Sequence, residues 1–79
     1  MRKADFVLMM ADVLEAEASE IRPEVSLFDF TTYDSVCALT LMARLEDDAK
    51  VECSPDELAE LKTIADVAAL IARHVGLEE

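Results

Sequence analysis

Apolar residues recur at helical spacing in the first stretch of the chain. Between about residues 5 and 16, Phe6, Met10, Val13 and Leu14 fall on one face, Val7 and Met9 widen it, and Asp12 and Glu15 lie on the wet side. Arg2 and Lys3 before this helix, and Glu15 and Glu17 near its exit, oppose the helix dipole. Packing rather than electrostatics therefore has to hold it. From residue 19 to residue 33 no period persists, and Pro23 breaks any continuation. A connection this long in a small domain usually has a task or is disordered. Ile21, Val25, Leu27, Phe28 and Phe30 lie along it, which predicts a loop pinned onto the core.

A second helix is expected to start at Asp34 or Ser35, either of which can cap the first open backbone N–H groups. It runs to about residue 48 and buries a stripe drawn from Ala38, Leu41, Met42 and Leu45. Ser54-Pro55-Asp56-Glu57 is the clearest local signal in the chain: Ser54 caps, Pro55 fits the first helical position and Glu57 closes a capping box. That helix is short, ending near Leu61. Thr63 then caps a last helix with Ile64, Val67, Ala68, Ile71 and Val75 on one face. Arg73 and His74 suit its C-terminal end, and Gly76 stops it. Leu77, Glu78 and Glu79 read as a frayed end. The sum is an all-α, four-helix bundle in one domain spanning residues 1–79, with three longer helices, one short helix and a long first connection.

Composition agrees with that class. Apolar residues make up 53% of the 79 positions but aromatics only 5%, so the core has to come from Leu, Ile, Val, Met and Ala, which suits packed helices. Met9, Met10 and Met42 read as adaptable core fillers. Eighteen acidic against seven basic residues give a net charge of −11, a field that repels nucleic acids and anionic membranes and draws partners with basic patches. Cys37 and Cys53 form no Cys-x-x-Cys and only one His is present, so no metal constellation can be assembled. Both cysteines read as small apolar side chains in a reducing compartment. No apolar run approaches membrane-spanning length and no signal-peptide cleavage pattern opens the chain, which places it in the cytoplasm. With no evident base, metal site or nucleotide loop, an enzyme is not expected.

The order of helix, long loop, Asp34-Ser35-Val36 and following helix resembles the acyl carrier proteins, whose Asp-Ser-Leu motif presents the serine that receives 4′-phosphopantetheine. Leu41, Leu45 and Glu46 match the apolar and acidic positions of the helix after that serine. Ser54-Pro55-Asp56-Glu57 and Leu61-Lys62-Thr63-Ile64 match the third helix and the approach to the fourth. Residues 34 to 64 fit a typical carrier without insertion or deletion, and the likeness is best from 27 to 71. A short Asp-Ser-Val match alone would be weak; the phased pattern is specific.

The resemblance implies an acyl-carrier-like fold, Ser35 as the covalent attachment site of 4′-phosphopantetheine from coenzyme A, and a carrier rather than a catalyst. It implies a phosphopantetheinyl transferase as one partner and acyl-loading and acyl-transfer enzymes as others, with Asp34, Val36, Glu46 and Asp47 contacting them and the carrier itself a monomer. Val36 has two open readings, an exposed partner contact or a first-turn core residue. Glu46, Asp47 and Asp48 oppose the helix dipole where they stand, so a docking role competes with a simple solvated face. Cys37, Thr40 and Arg44 depart from the acidic helix of common fatty-acid carriers, and Thr31-Thr32-Tyr33 replaces the usual Gly before the motif. These departures point to a specialised carrier. Fatty acyl or lipid cargo stands ahead of polyketide or aminoacyl cargo, and an unmodified helical interaction module is the competing class.

Overall fold

The computed structural model describes residues 1–77, and Glu78 and Glu79 of the expected frayed end lie outside them. Its elements are α1 (Lys3–Leu14), α2 (Ser35–Ala49), α3 (Pro55–Glu60) and α4 (Ile64–His74), with 3-10 turns at Ala18–Glu20 and Leu27–Asp29. No strand is present among the described residues. The all-α, four-helix expectation holds.

Local chemistry fixes three of the four helix starts. Asp34, Ser54 and Thr63 each sit in extended backbone and accept an N–H from the first turn that follows, and Ser54 and Thr63 complete reciprocal capping boxes with Glu57 and Asp66. Nothing of the kind opens α1: Arg2 makes no side-chain cap. This helix starts and stops two residues earlier than its apolar pattern suggested. It stops because Glu15 adopts a left-handed conformation (φ 53°) and the Glu15 and Ala16 N–H groups turn back onto the Ala11 carbonyl.

The core is apolar throughout the described residues, with no polar or charged residue buried in it. Met9, Met10 and Leu14 from α1, Leu41 and Leu45 from α2, and Ile64, Val67, Leu70 and Ile71 from α4 fill its centre. Leu58 of α3 closes one side. Met42 and Ala38 are half-buried against it, as is Leu77, which packs on the core and does not fray. Val75 departs from the expected apolar face of α4, because the helix ends at His74 and Val75 turns outward into an exposed position.

The long first connection is pinned, and mainly by its backbone. Ser26 bridges Thr63, Leu27 N–H donates to Lys62 O at 2.8 Å, and Ile64 and Ala65 N–H donate to Val25 O and Pro23 O, each at 3.0 Å. Leu27 and Ile21 are buried, and Val25 and Phe30 pack half-buried on the core. Phe28 is the exception. It was expected on the core but is 66% exposed, because the 3-10 turn that buries Leu27 directs the next residue outward.

Candidate functional site

The start of α2 is built from Asp34, Ser35 and Val36. Asp34 Oδ1 accepts the Cys37 N–H at 2.8 Å, and the Asp34 carbonyl accepts the Ala38 N–H at 2.8 Å. Of the two expected capping residues, Asp34 therefore takes the role. Ser35 becomes the first residue inside the helix, exposed, with a hydroxyl that has no hydrogen-bond partner among the described residues. The Ser35 and Val36 N–H groups, ahead of the capped Cys37, are left open at the positive end of a 15-residue helix. That is a suitable seat for a phosphodiester, whose oxygens accept hydrogen bonds and carry negative charge.

Val36 resolves to the outward of its two readings: it is 71% exposed. Leu39, one turn further along, is 58% exposed, and the sequence reading passed over it. Its signal was present, since an apolar residue one position beyond the Ala38 stripe of an amphipathic helix lies at the edge of the buried face. Beside Ser35 a groove of about 540 Å³ runs between the 3-10 turn, α2 and α3, walled by Phe28, Tyr33, Ala38, Leu39, Leu58 and Leu61. Phe28 and Tyr33 meet edge to face there, with ring centroids 5.6 Å apart and an interplanar angle of 77°. Burial, with smaller contributions from Cys37 and Cys53, raises the Tyr33 hydroxyl above the usual tyrosine range and keeps it neutral.

Cys37 faces inward. Its thiol is buried and donates to the Val13 carbonyl at 3.4 Å, and burial followed by the nearby Asp34 charge raises it above the ordinary thiol range. Glu46, Asp47 and Asp48 are exposed at the far end of α2, about 17–20 Å along the helix from Ser35 at 1.5 Å per residue. The structure does not gather them with the serine. Arg44, on the flank between the two ends, donates through Nε to Asp48 at 2.9 Å and through Nη1 to Asp12 of α1. Its charge is thus shared with two acids of its own fold. His74 stands at the exit of α4 with Nε2 3.9 Å from a Glu57 carboxylate oxygen. No cluster of three or more potential ligands for a metal ion occurs among the described residues.

Comparison with known proteins bears on this geometry. The sequence model of the phosphopantetheine attachment site family matches residues 5–71. The chain is 34% identical over 65 residues to the meromycolate extension acyl carrier protein of Mycobacterium tuberculosis, a match covering 82% of this chain and 56% of that protein. It therefore spans little more than half the length of that relative. Over 69 residues it is 34% identical to an acyl carrier protein of Streptomyces coelicolor, covering 87% of this chain and 75% of the relative. An acyl carrier protein of Thermosynechococcus vestitus is 31% identical over 68 residues, covering 86% and 84% respectively. The chain belongs to the phosphopantetheine attachment family of acyl carrier proteins, which bear a covalent 4′-phosphopantetheine and act as carriers rather than enzymes.

Proposed function

We propose that Ser35 is the attachment point of the arm and that the chain, as a single monomeric domain in the cytoplasm, shuttles thioester-bound acyl groups between enzymes of a dedicated lipid or other acyl pathway. The observation that carries this reading is the division of labour at the start of α2. Asp34 takes the cap, so the Ser35 hydroxyl is exposed and unengaged beside open backbone N–H groups. When bound, the arm supplies the thiol on which cargo is carried. The residues of this chain hold its phosphate at the head of α2 and offer the distal arm an apolar wall along Phe28, Tyr33 and Leu39.

An unactivated serine hydroxyl is a weak nucleophile, so the base and the divalent cation come from the transferase that delivers the arm from coenzyme A. Asp34 and the exposed Val36 are the contacts nearest the serine for that enzyme. Glu46 and Asp47 form a separate acidic end of α2 for basic patches on acyl-loading and acyl-transfer enzymes. Arg44, already paired, interrupts the negative charge between the two ends and favours partners other than those of an all-acidic helix. No helix among the described residues is long and apolar enough to cross a membrane.

An unmodified interaction module remains the second reading, favoured by the three exposed apolar residues Phe28, Val36 and Leu39 around the serine. Intact mass separates the two. Incubated with coenzyme A and a broad-specificity transferase, the wild type is expected to gain one phosphopantetheine and Ser35→Ala none. A wild type left unmodified under conditions that load a control carrier would overturn the carrier reading.

A further inference from the structure

The end of α1 and the serine corner are joined by an accounting of carbonyls. The last four C=O groups of a helix have no partner within it. In α1 these belong to Ala11, Asp12, Val13 and Leu14. The Ala11 and Asp12 carbonyls accept from the Glu15 and Ala16 N–H groups as the chain turns. The Val13 and Leu14 carbonyls are taken by side chains from far along the sequence. Thr32 Oγ1 donates to Leu14 O at 2.6 Å, and the Cys37 thiol donates to Val13 O at 3.4 Å. These two residues bracket Asp34-Ser35-Val36, one before the motif and one after it.

We propose that Thr32 and Cys37 are positioning residues, which hold the serine corner against the end of α1 so that the Ser35 hydroxyl is presented in one conformation. The inference rests on Ser35 being the attachment point. Neither residue touches the arm; both act through the backbone on either side of it. Thr32 makes the stronger bond, an O–H donor at short range to an otherwise open carbonyl, and its loss leaves that carbonyl without a partner. Freed on one side, the corner samples other conformations, and a transferase that accepts only the presented one sees a reduced competent fraction. KM then rises while kcat stays.

The test compares wild type, Thr32→Val, which keeps the shape and loses the hydroxyl, and Thr32→Ser, which keeps the hydroxyl. All carry Cys53→Ser, so that Cys37 is the one thiol available to report. Thermal melts first establish the temperature at which each variant is folded. Thr32→Val is expected to raise KM for phosphopantetheine transfer about three- to tenfold with kcat unchanged, and Thr32→Ser to restore it. In the unmodified proteins, maleimide labelling of Cys37 should accelerate in Thr32→Val and return towards the wild-type rate in Thr32→Ser. A loaded wild type with a folded Thr32→Val that matches it in KM and labelling rate overturns this inference alone. A wild type that takes no arm overturns the Ser35 assignment and this inference with it.

Discussion

Asp34 caps α2 by accepting the Cys37 N–H at 2.8 Å, and Ser35, the first of the two residues between them, is thereby relieved of the capping role its position would otherwise give it. One carboxylate thus serves the stability of the helix and the availability of the serine.

Removing that carboxylate should show in stability. Asp34→Ala leaves the first turn uncapped and is expected to cost about 1 kcal/mol, while Asp34→Asn, which can still accept the N–H, costs less. Urea denaturation of the unmodified proteins measures the difference. An Asp34→Ala variant as stable as the wild type would show that Ser35 can take over the cap.

Among the described residues, two that are not glycine stand in left-handed backbone, Glu15 at φ 53° and Lys50 at φ 58°. Each ends a helix, and each carries a Cβ in a region where glycine is at ease. Glu15→Gly and Lys50→Gly are each expected to stabilise by up to about 1 kcal/mol, offset in part by the greater freedom glycine has in the unfolded chain. Differential scanning calorimetry should show Tm raised or unchanged; a clear fall in either variant would mean that the side chain contributes more than its strain costs.

Asp66 is the residue on which a pH effect should appear. Its carboxylate accepts the Lys62 N–H at 2.9 Å and the Thr63 N–H at 3.1 Å, and those backbone bonds, Lys62 first, hold it below the usual aspartate range. A depressed folded-state pKa stabilises above the unfolded value of about 3.9 and ceases to do so as pH falls through the folded one. The wild type should therefore exceed Asp66→Asn in stability at neutral pH, with the gap closing below about pH 4. Denaturant titrations across that range measure the gap, and a gap independent of pH would rule out the carboxylate as its source.

Arg44 links α1 to α2 through Asp12 and pairs with Asp48 within α2, yet all three side chains retain solvent contact. Arg44→Met should cost less than about 1 kcal/mol at low salt, and less again at high salt, because exposed pairs are screened. Melting curves at two ionic strengths decide this; a large, salt-independent loss would identify packing of the arginine stem as the main contribution.

The parts of this fold legible in the sequence are those set by neighbours in the chain. Ser54 and Thr63 find their capping partners three residues on, so α3 and α4 open where local chemistry placed them. Helix α1 was placed less well, having no side-chain cap at its start and ending through a backbone turn at Glu15 that apolar spacing does not encode. Phe28 and Val75 defeated the pattern for a related reason: hydrophobicity alone cannot say which apolar residue at the margin of a turn or a helix end faces outward. At the site, Asp34-Ser35-Val36 could be read from its motif. The groove beside it could not, since Phe28, Leu39 and Leu58 meet only through the packing of three separate segments. The bonds from Thr32 and Cys37 to α1 were equally hidden, because they join residues 18 and 24 positions apart.

The seam between residues 23–27 and residues 62–65 has a consequence for the order in which this protein comes into being. Ser35 is synthesised well before Lys62, but residues 23–27 of the loop leading to it find their backbone partners outside the loop only once residues 62–65 are in place. A chain still emerging from the ribosome would carry the serine on an approach held to α1 through Thr32 and Cys37 but not yet joined at this seam. Only when the start of α4 folds back does that seam close, so the approach to α2 reaches its final form after residues 62–65 have been made.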